Sequence, residues 1–118
     1  MSLVIQIPWP PSANTYYRHV GHKILISKKG RAYQKAIQVQ AMVEHWERFF
    51  RCRLSITILA CPPDRRRRDL DNTQKVIFDS LQNAGIYDDD EQIDFFSIER
   101  KEVEKPGKVI LKIERINP

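Results

Sequence analysis

The chain has 118 residues, 42% hydrophobic and 30% charged, which suits one domain around one core and excludes a low-complexity or disordered protein. Twenty Lys and Arg against fifteen Asp and Glu give a net charge of +5, a balance that favours a polyanionic partner such as nucleic acid. No apolar run approaches the ~20 residues of a membrane span, so no membrane partner is expected.

In chain order, "LVIQI" (3–7) predicts a first strand, halted by the proline cluster "PWPPS". The opening residues have neither the basic leader nor the small-residue cleavage site of a signal peptide. "NTYYRHVGHKILIS" predicts a loop or hairpin turning near Gly21 and offers Tyr16, Tyr17, Arg18 and His19 as aromatic and cationic groups. Apolar steps of three and four through Tyr33, Ile37, Val43, Trp46 and Phe50 predict an amphipathic helix over 31–50, with His45 in a structural role upon it. "RLSITILA" predicts a strand ending at Pro62-Pro63. Cys52 and Cys61 flank it, about 30 Å apart in extended chain and beyond disulfide reach, so free thiols in a reducing cytoplasm are expected.

"NTQKVIFDSLQNAG" places Val76, Ile77, Leu81 and Ala84 on one helical face and Lys75, Asp79 and Gln82 on another. Asp71 or Asn72 is the expected N-cap, Asp71 with Gln74 resembling a capping box. Gly85 fits a left-handed stop, with Ile86 folded back on Leu81. "DDDEQ" (88–92) forms an acidic loop. "IDFFSIERKEV" and "KVILKIERI" predict two strands in a C-terminal hairpin, with Pro106-Gly107 in a type II turn. The sum is a single-domain mixed α/β fold over 1–118, a mixed sheet of about four strands packed with two main helices.

Chemistry concentrates in "RRRRDLDNTQK" (65–75). With Asp71 as the cap, Asp69 and Asp71 lie on an extended lead-in and point the same way. At about 4 Å, two such carboxylates repel by ~4 kcal/mol at an effective dielectric of 20, and a hard divalent cation such as Mg²⁺ between them removes the conflict. Lys75 stands one turn beyond Asp71, within reach of a phosphate held at the helix N-terminus. The acidic loop can add a third carboxylate if the chain returns past the helix start. These are the parts of metal-assisted phosphodiester hydrolysis. The alternative is a turn and an N-cap screened by arginines on a solvated face.

Other motif matches carry less. "DLDNT" has the D-x-D-x-T form of haloacid-dehalogenase phosphatases, but four arginines precede it where a buried strand belongs. As a calcium loop it fails at Gln74 and Ser80. Pro63-Asp64 with Glu99–Lys101 imitates a second nuclease pattern. His19 and His22 have no cysteine nearby to make a zinc site.

Taken together, "PWPPSANTYYRH", "PPDRRRRDLDNTQK", "FDSLQNAG" and "DDDEQ" resemble the RusA family of Holliday-junction resolvases, often prophage-encoded, over nearly the whole chain. The resemblance implies a Mg²⁺-dependent endodeoxyribonuclease that acts as a homodimer on four-way DNA junctions in recombination and repair. It implies Asp69, Asp71 and Asp90 as metal carboxylates, Asp90 standing two residues before Gln92 and Asp89 being the neighbouring alternative. Lys75 matches the catalytic lysine and Arg68 a basic residue at the DNA. Arg65, Arg66, Arg67 and Arg18 are expected on backbone phosphates, and Tyr17 on DNA as a stacking group or under the loop as a packing group. A preference for cutting 5′ of paired cytosines also belongs to the resemblance. The competing function is a non-catalytic basic DNA-binding module with the aspartates as caps.

Overall fold

The computed structural model describes residues 2–116. Its elements are β1 (Ser2–Pro8), a one-turn α1 (Ala13–Tyr16), β2 (Tyr17–Val20), β3 (Lys23–Ile26), α2 (Lys28–Val43), β4 (Arg53–Cys61), α3 (Leu70–Asn83), a 3₁₀ turn (Asp90–Gln92), β5 (Ile93–Arg100) and β6 (Lys108–Ile116). One mixed sheet runs in the order β1-β6-β4-β5, and β2 and β3 form a separate hairpin turning at Gly21, where φ is 61°. β6 pairs antiparallel with both β1 and β4, whereas β5 lies parallel to β4.

Alternation along the strands builds the core. The row Ile5–Leu111–Ile58–Ile98 crosses all four strands, with Ile7–Val109–Ala60 beside it. α2 adds Tyr33, Ile37 and Ala41, and α3 adds Val76, Ile77 and Leu81 to the same cluster. Val4, Lys112 and Ser97, on the opposite face, are exposed, so the fold has two layers, helices over one side of a sheet. Four strands and two main helices are as the sequence predicts; α1 is an additional short one. Cys52 and Cys61 are free thiols, and no helix is long and apolar enough to cross a membrane among the described residues.

Three expectations are corrected. The last two strands form no hairpin, because β4 lies between β5 and β6. The turn before β6 is not type II with Pro106-Gly107 at its centre: it runs Glu104–Gly107, closed by the Gly107 N–H on the Glu104 carbonyl (2.6 Å), with Pro106 third and the Lys105–Pro106 bond cis. The segment passes the end of β4, with Gly107 packed against Trp9 and Pro63. The first long helix ends at Val43, not near residue 50. His45 takes a left-handed φ of 53° and is exposed off the helix, so Trp46 and Phe49 reach the core from an irregular segment. Trp46 keeps the spacing of a helical face, while Val43 and Phe50, counted on that face, are exposed and Phe49 is buried in place of Phe50.

α3 carries the functional segment. As the connection between parallel strands it must run back against them, so it starts where β4 and β5 end and finishes where β5 begins. Its end is the expected Schellman stop: Gly85 has φ 79°, Gly85 N–H donates to Gln82 C=O (2.9 Å) and Ile86 N–H to Leu81 C=O (3.1 Å).

Candidate metal and nucleic-acid site

At the start of α3 the N-cap is Asp69, with extended backbone and no side-chain capping bond. Asp71 is the second helical residue, and its carboxylate turns onto the Asn72 N–H (3.1 Å). The sequence expectation of Asp71 or Asn72 as the cap, with two aspartates in register on an extended run, is therefore corrected. Both acids are nevertheless exposed at the mouth of the helix, where the free N–H groups favour negative charge.

Arg68 is set rigidly before them. Its guanidinium meets the Asp64 carboxylate at 2.8 Å and lies 5.6 Å over the Trp9 ring. That hydrogen bond, with the Arg66 N–H bond next, holds the Asp64 carboxyl below the usual aspartate range. Arg100 donates to the Arg68 carbonyl (2.6 Å), tying the end of β5 to the start of α3. Arg65, Arg67 and Arg18 are exposed and make no ion pair among the described residues. A cleft of about 350 Å³ lies beside Asp69, lined by Trp9, Asn14, Arg67, Arg68 and Asn72. Behind Trp9 a second, of about 220 Å³, gathers Arg65, Arg66, Arg100 and Lys101. The second nuclease pattern is used up in ion pairs, Asp64 with Arg68 and Glu99 with Lys101 (2.8 Å).

Farther along α3, Lys75 projects its ammonium over the Tyr17 ring, 5.0 Å from the centroid, and the Tyr17 hydroxyl donates to Asp79. Burial first, then the Asp79 carboxylate, pushes the Tyr17 phenol far up, so it stays protonated. Tyr16 is fully buried, its hydroxyl accepting from Gln34 (2.7 Å), so this ring packs and cannot stack on DNA. Asp79 was legible only as a polar helix position; its i+4 spacing from Lys75 was the available signal.

The acidic turn sits at the other end of the helix. Asp90 N–H donates to the Gln82 side chain (3.0 Å), while the Gln92 carbonyl oxygen accepts from the N–H groups of Asp88 (2.8 Å) and Asp89 (3.1 Å). Gln92 is buried and donates to the carbonyls of Phe49 (3.1 Å) and Cys52 (3.0 Å). Desolvation, then hydrogen bonding and charge from Asp89, then Asp79, raise the Asp90 carboxyl above the usual range. Thus Asp69 and Asp71 stand together and Asp90 stands apart, its carboxyl near Asp79, which lies about 12 Å of helix rise beyond Asp71. The expected return of the acidic loop to the helix start does not occur within one chain, because the loop is anchored to Gln82 and to the core. No trio of His, Cys, Asp or Glu side chains is arranged to hold a metal among the described residues.

The family model for endodeoxyribonuclease RusA matches residues 8–114. This chain belongs to the RusA family. It is 42% identical over 107 residues to the crossover junction endodeoxyribonuclease rusA of Enterobacteria phage HK97, covering 91% of this chain and 89% of the relative. The corresponding protein of Enterobacteria phage 82 is 39% identical over 109 residues, and that of Escherichia coli strain K12 is 38% identical over 109, each covering 92% of this chain and 91% of the relative. The RusA match spans both the arginine-aspartate segment and the acidic turn.

Proposed function

We propose that this chain is a Mg²⁺-dependent endodeoxyribonuclease that resolves four-way DNA junctions as a homodimer, by paired symmetric nicks, in cytoplasmic recombination and repair. Besides RusA membership, the observation that carries this reading is the exposed pair Asp69 and Asp71 at the edge of an arginine-lined cleft. The side chains of Asp69, Asp71 and Asp90 form no ion pair with a basic group among the described residues, and such hard oxygens suit Mg²⁺. Bound by them, Mg²⁺ would polarise the scissile phosphate and lower the pKa of a water nucleophile.

The protein's own groups do the positioning. Arg68, locked by Asp64 and Trp9, presents fixed positive charge beside the acids, and Arg65, Arg66, Arg67 and Arg18 neutralise backbone phosphates farther out. Lys75, held over Tyr17 one turn beyond Asp71, reaches a phosphate oxygen and stabilises the charge that develops there. Tyr17, half-buried and hydrogen-bonded to Asp79, steadies that lysine beside the DNA.

Because Asp90 stands apart from Asp69 and Asp71 along α3 and its turn is anchored there, the acid set is completed between protomers. Each site takes Asp69 and Asp71 from one chain and Asp90 from its partner. A two-fold dimer then has two equivalent sites, matching the two symmetric cuts that convert a four-way junction into two duplexes. Incubation with a labelled synthetic junction tests the reading. Paired nicks with Mg²⁺, abolished by EDTA, are expected; a stable complex that is never cut would instead support a non-catalytic DNA-binding module.

A further inference from the structure

We propose that the β2–β3 hairpin is a wedge for the branch point of the DNA. Its exposed aliphatic side chains cover base-pair faces laid open there, and the cations on it and on the start of α2 hold the strands that diverge. The proposal rests on the junction-nuclease reading and names the element that distinguishes branched DNA from a plain duplex.

Charge singles out this limb. The first 43 residues hold Arg18, Lys23, Lys28, Lys29, Arg31 and Lys35 and no Asp or Glu, a charge of +6. The whole chain carries +5, so everything after Val43, the arginine run included, comes to −1. All six cations are exposed, and none forms an ion pair among the described residues. Lys28, Lys29 and Arg31 also stand at the beginning of α2, whose first turn has no acid. The helix dipole disfavours positive charge at that end. Folding gives no reason for cations there, whereas a polyanion lying against them does.

The hairpin is built to project. At its root the Ser27 N–H donates to the Tyr16 carbonyl (2.8 Å), the Ser27 hydroxyl accepts from the Gly30 N–H (3.0 Å), and Arg31 donates to the Ile26 carbonyl (2.8 Å). A Cβ on Gly30 would lie 2.5 Å from that same Tyr16 carbonyl, so α2 meets the root as closely as glycine allows. Beyond it the strands pair only with each other, in the register Tyr17–Ile26, Arg18–Leu25, His19–Ile24 and Val20–Lys23. Four residues of strand carry the tip about 13 Å out from Tyr17.

This ribbon exposes apolar surface that the fold leaves uncovered: Val20 is 44% exposed, Ile24 63% and Leu25 46%. Alternation sets Arg18, Val20, Lys23 and Leu25 on one face and His19 and Ile24 on the other, so aliphatic and basic groups are interleaved. Duplex grooves present mainly polar edges, whereas base-pair faces are apolar and open only where stacking is interrupted. Aliphatic side chains wedge into such interruptions, and neighbouring cations neutralise the flanking phosphates. The position fits. Tyr17 lies under the Lys75 ammonium, 5.0 Å from its ring centroid, so a strand whose phosphate meets Lys75 passes within about 13 Å of the tip, roughly four base-pair steps.

Val20→Ser with Ile24→Ser tests the wedge, with binding measured in EDTA on a synthetic four-way junction and on a duplex made from one arm. This variant is expected to lose about tenfold or more in junction affinity and less than twofold in duplex affinity, with an unchanged circular dichroism spectrum. A 2-aminopurine beside the branch is expected to brighten when wild type binds and to stay dim with the variant. Lys23→Gln, Lys28→Gln and Lys29→Gln together are expected to reduce the slope of log affinity against log salt on the junction by about 2 to 3. Equal losses on junction and duplex overturn the proposal, because the ribbon would then be a groove contact. So does an unchanged salt slope, or a 2-aminopurine that stays dim with wild type. A V20S/I24S protein that sediments, without DNA, as a smaller species than wild type makes the ribbon a surface for another protein chain and overturns it too. Metal-dependent junction cleavage by wild type, measured alongside, separates failure of the wedge from failure of the nuclease reading.

Discussion

Replacing Gln92 by alanine tests whether the acidic turn is held at its own end of α3. The Gln92 side chain makes four hydrogen bonds, accepting from the Asp88 and Asp89 N–H groups and donating to the Phe49 and Cys52 carbonyls. The residue is 6% exposed. A typical hydrogen bond contributes about 1 kcal/mol net, and each buried group left without a partner costs about 1–3 kcal/mol. Only the Phe49 carbonyl bond is fully buried, and water can reach the other three, so the expected loss is about 2–4 kcal/mol. Urea unfolding, compared at equal m-value, measures it. Gln92→Leu, which restores volume without polarity, is expected to recover less than half. A Q92A protein within about 0.5 kcal/mol of wild type would refute the reasoning. The anchor would then not be this amide, and the acidic turn would be free to move toward Asp69.

The Asp64–Arg68 pair gives a pH prediction. Because the Asp64 carboxyl is lowered in the folded chain, its contribution is present above the ordinary aspartate pKa of about 3.9 and is lost as pH falls through the folded value. The stability difference between wild type and Asp64→Asn, read from denaturant midpoints, is therefore expected to shrink as pH drops below about 4; a constant difference down to pH 2.5 would contradict it. Gly107→Ala would place a methyl 2.8 Å from the Trp9 Cβ and 2.9 Å from the Pro63 Cδ at a φ of 94°. A loss of about 2 kcal/mol or more is expected by thermal melting, and an unchanged Tm would count against the packing described.

The features legible in the sequence are those whose causes are local. The turn at Gly21 and the stop at Gly85 need a residue that tolerates positive φ, and glycine marks both. Strands β1, β4 and β6 announce themselves by alternation between proline-bounded ends. Long-range choices are not written that way. Nothing in "EKPGK" reveals that β4 will insert between the strands it seems to join. Trp46 keeps helical spacing although a left-handed residue has already ended the helix. At the site, residue types and spacing single out Asp69, Asp71, Lys75 and Asp90, but two things stay hidden. Asp69 takes the cap because Asp64, close by, and Arg100, distant in sequence, fix Arg68 in front of it. Asp90 lies at the far end of α3 because Gln92 plugs into carbonyls of the segment before β4.

The central claim is that each metal site draws Asp69 and Asp71 from one protomer and Asp90 from its partner. Mixing Asp71→Asn with Asp90→Asn protein, after subunit exchange, tests it on a labelled junction with Mg²⁺. Either variant alone is expected to be inactive, since each site lacks one acid. Random pairing makes about half the dimers mixed, and each mixed dimer has one of two sites intact, so about one quarter of the wild-type nicking is expected to return, mainly as singly nicked junctions. A mixture as inactive as its components would contradict the shared site.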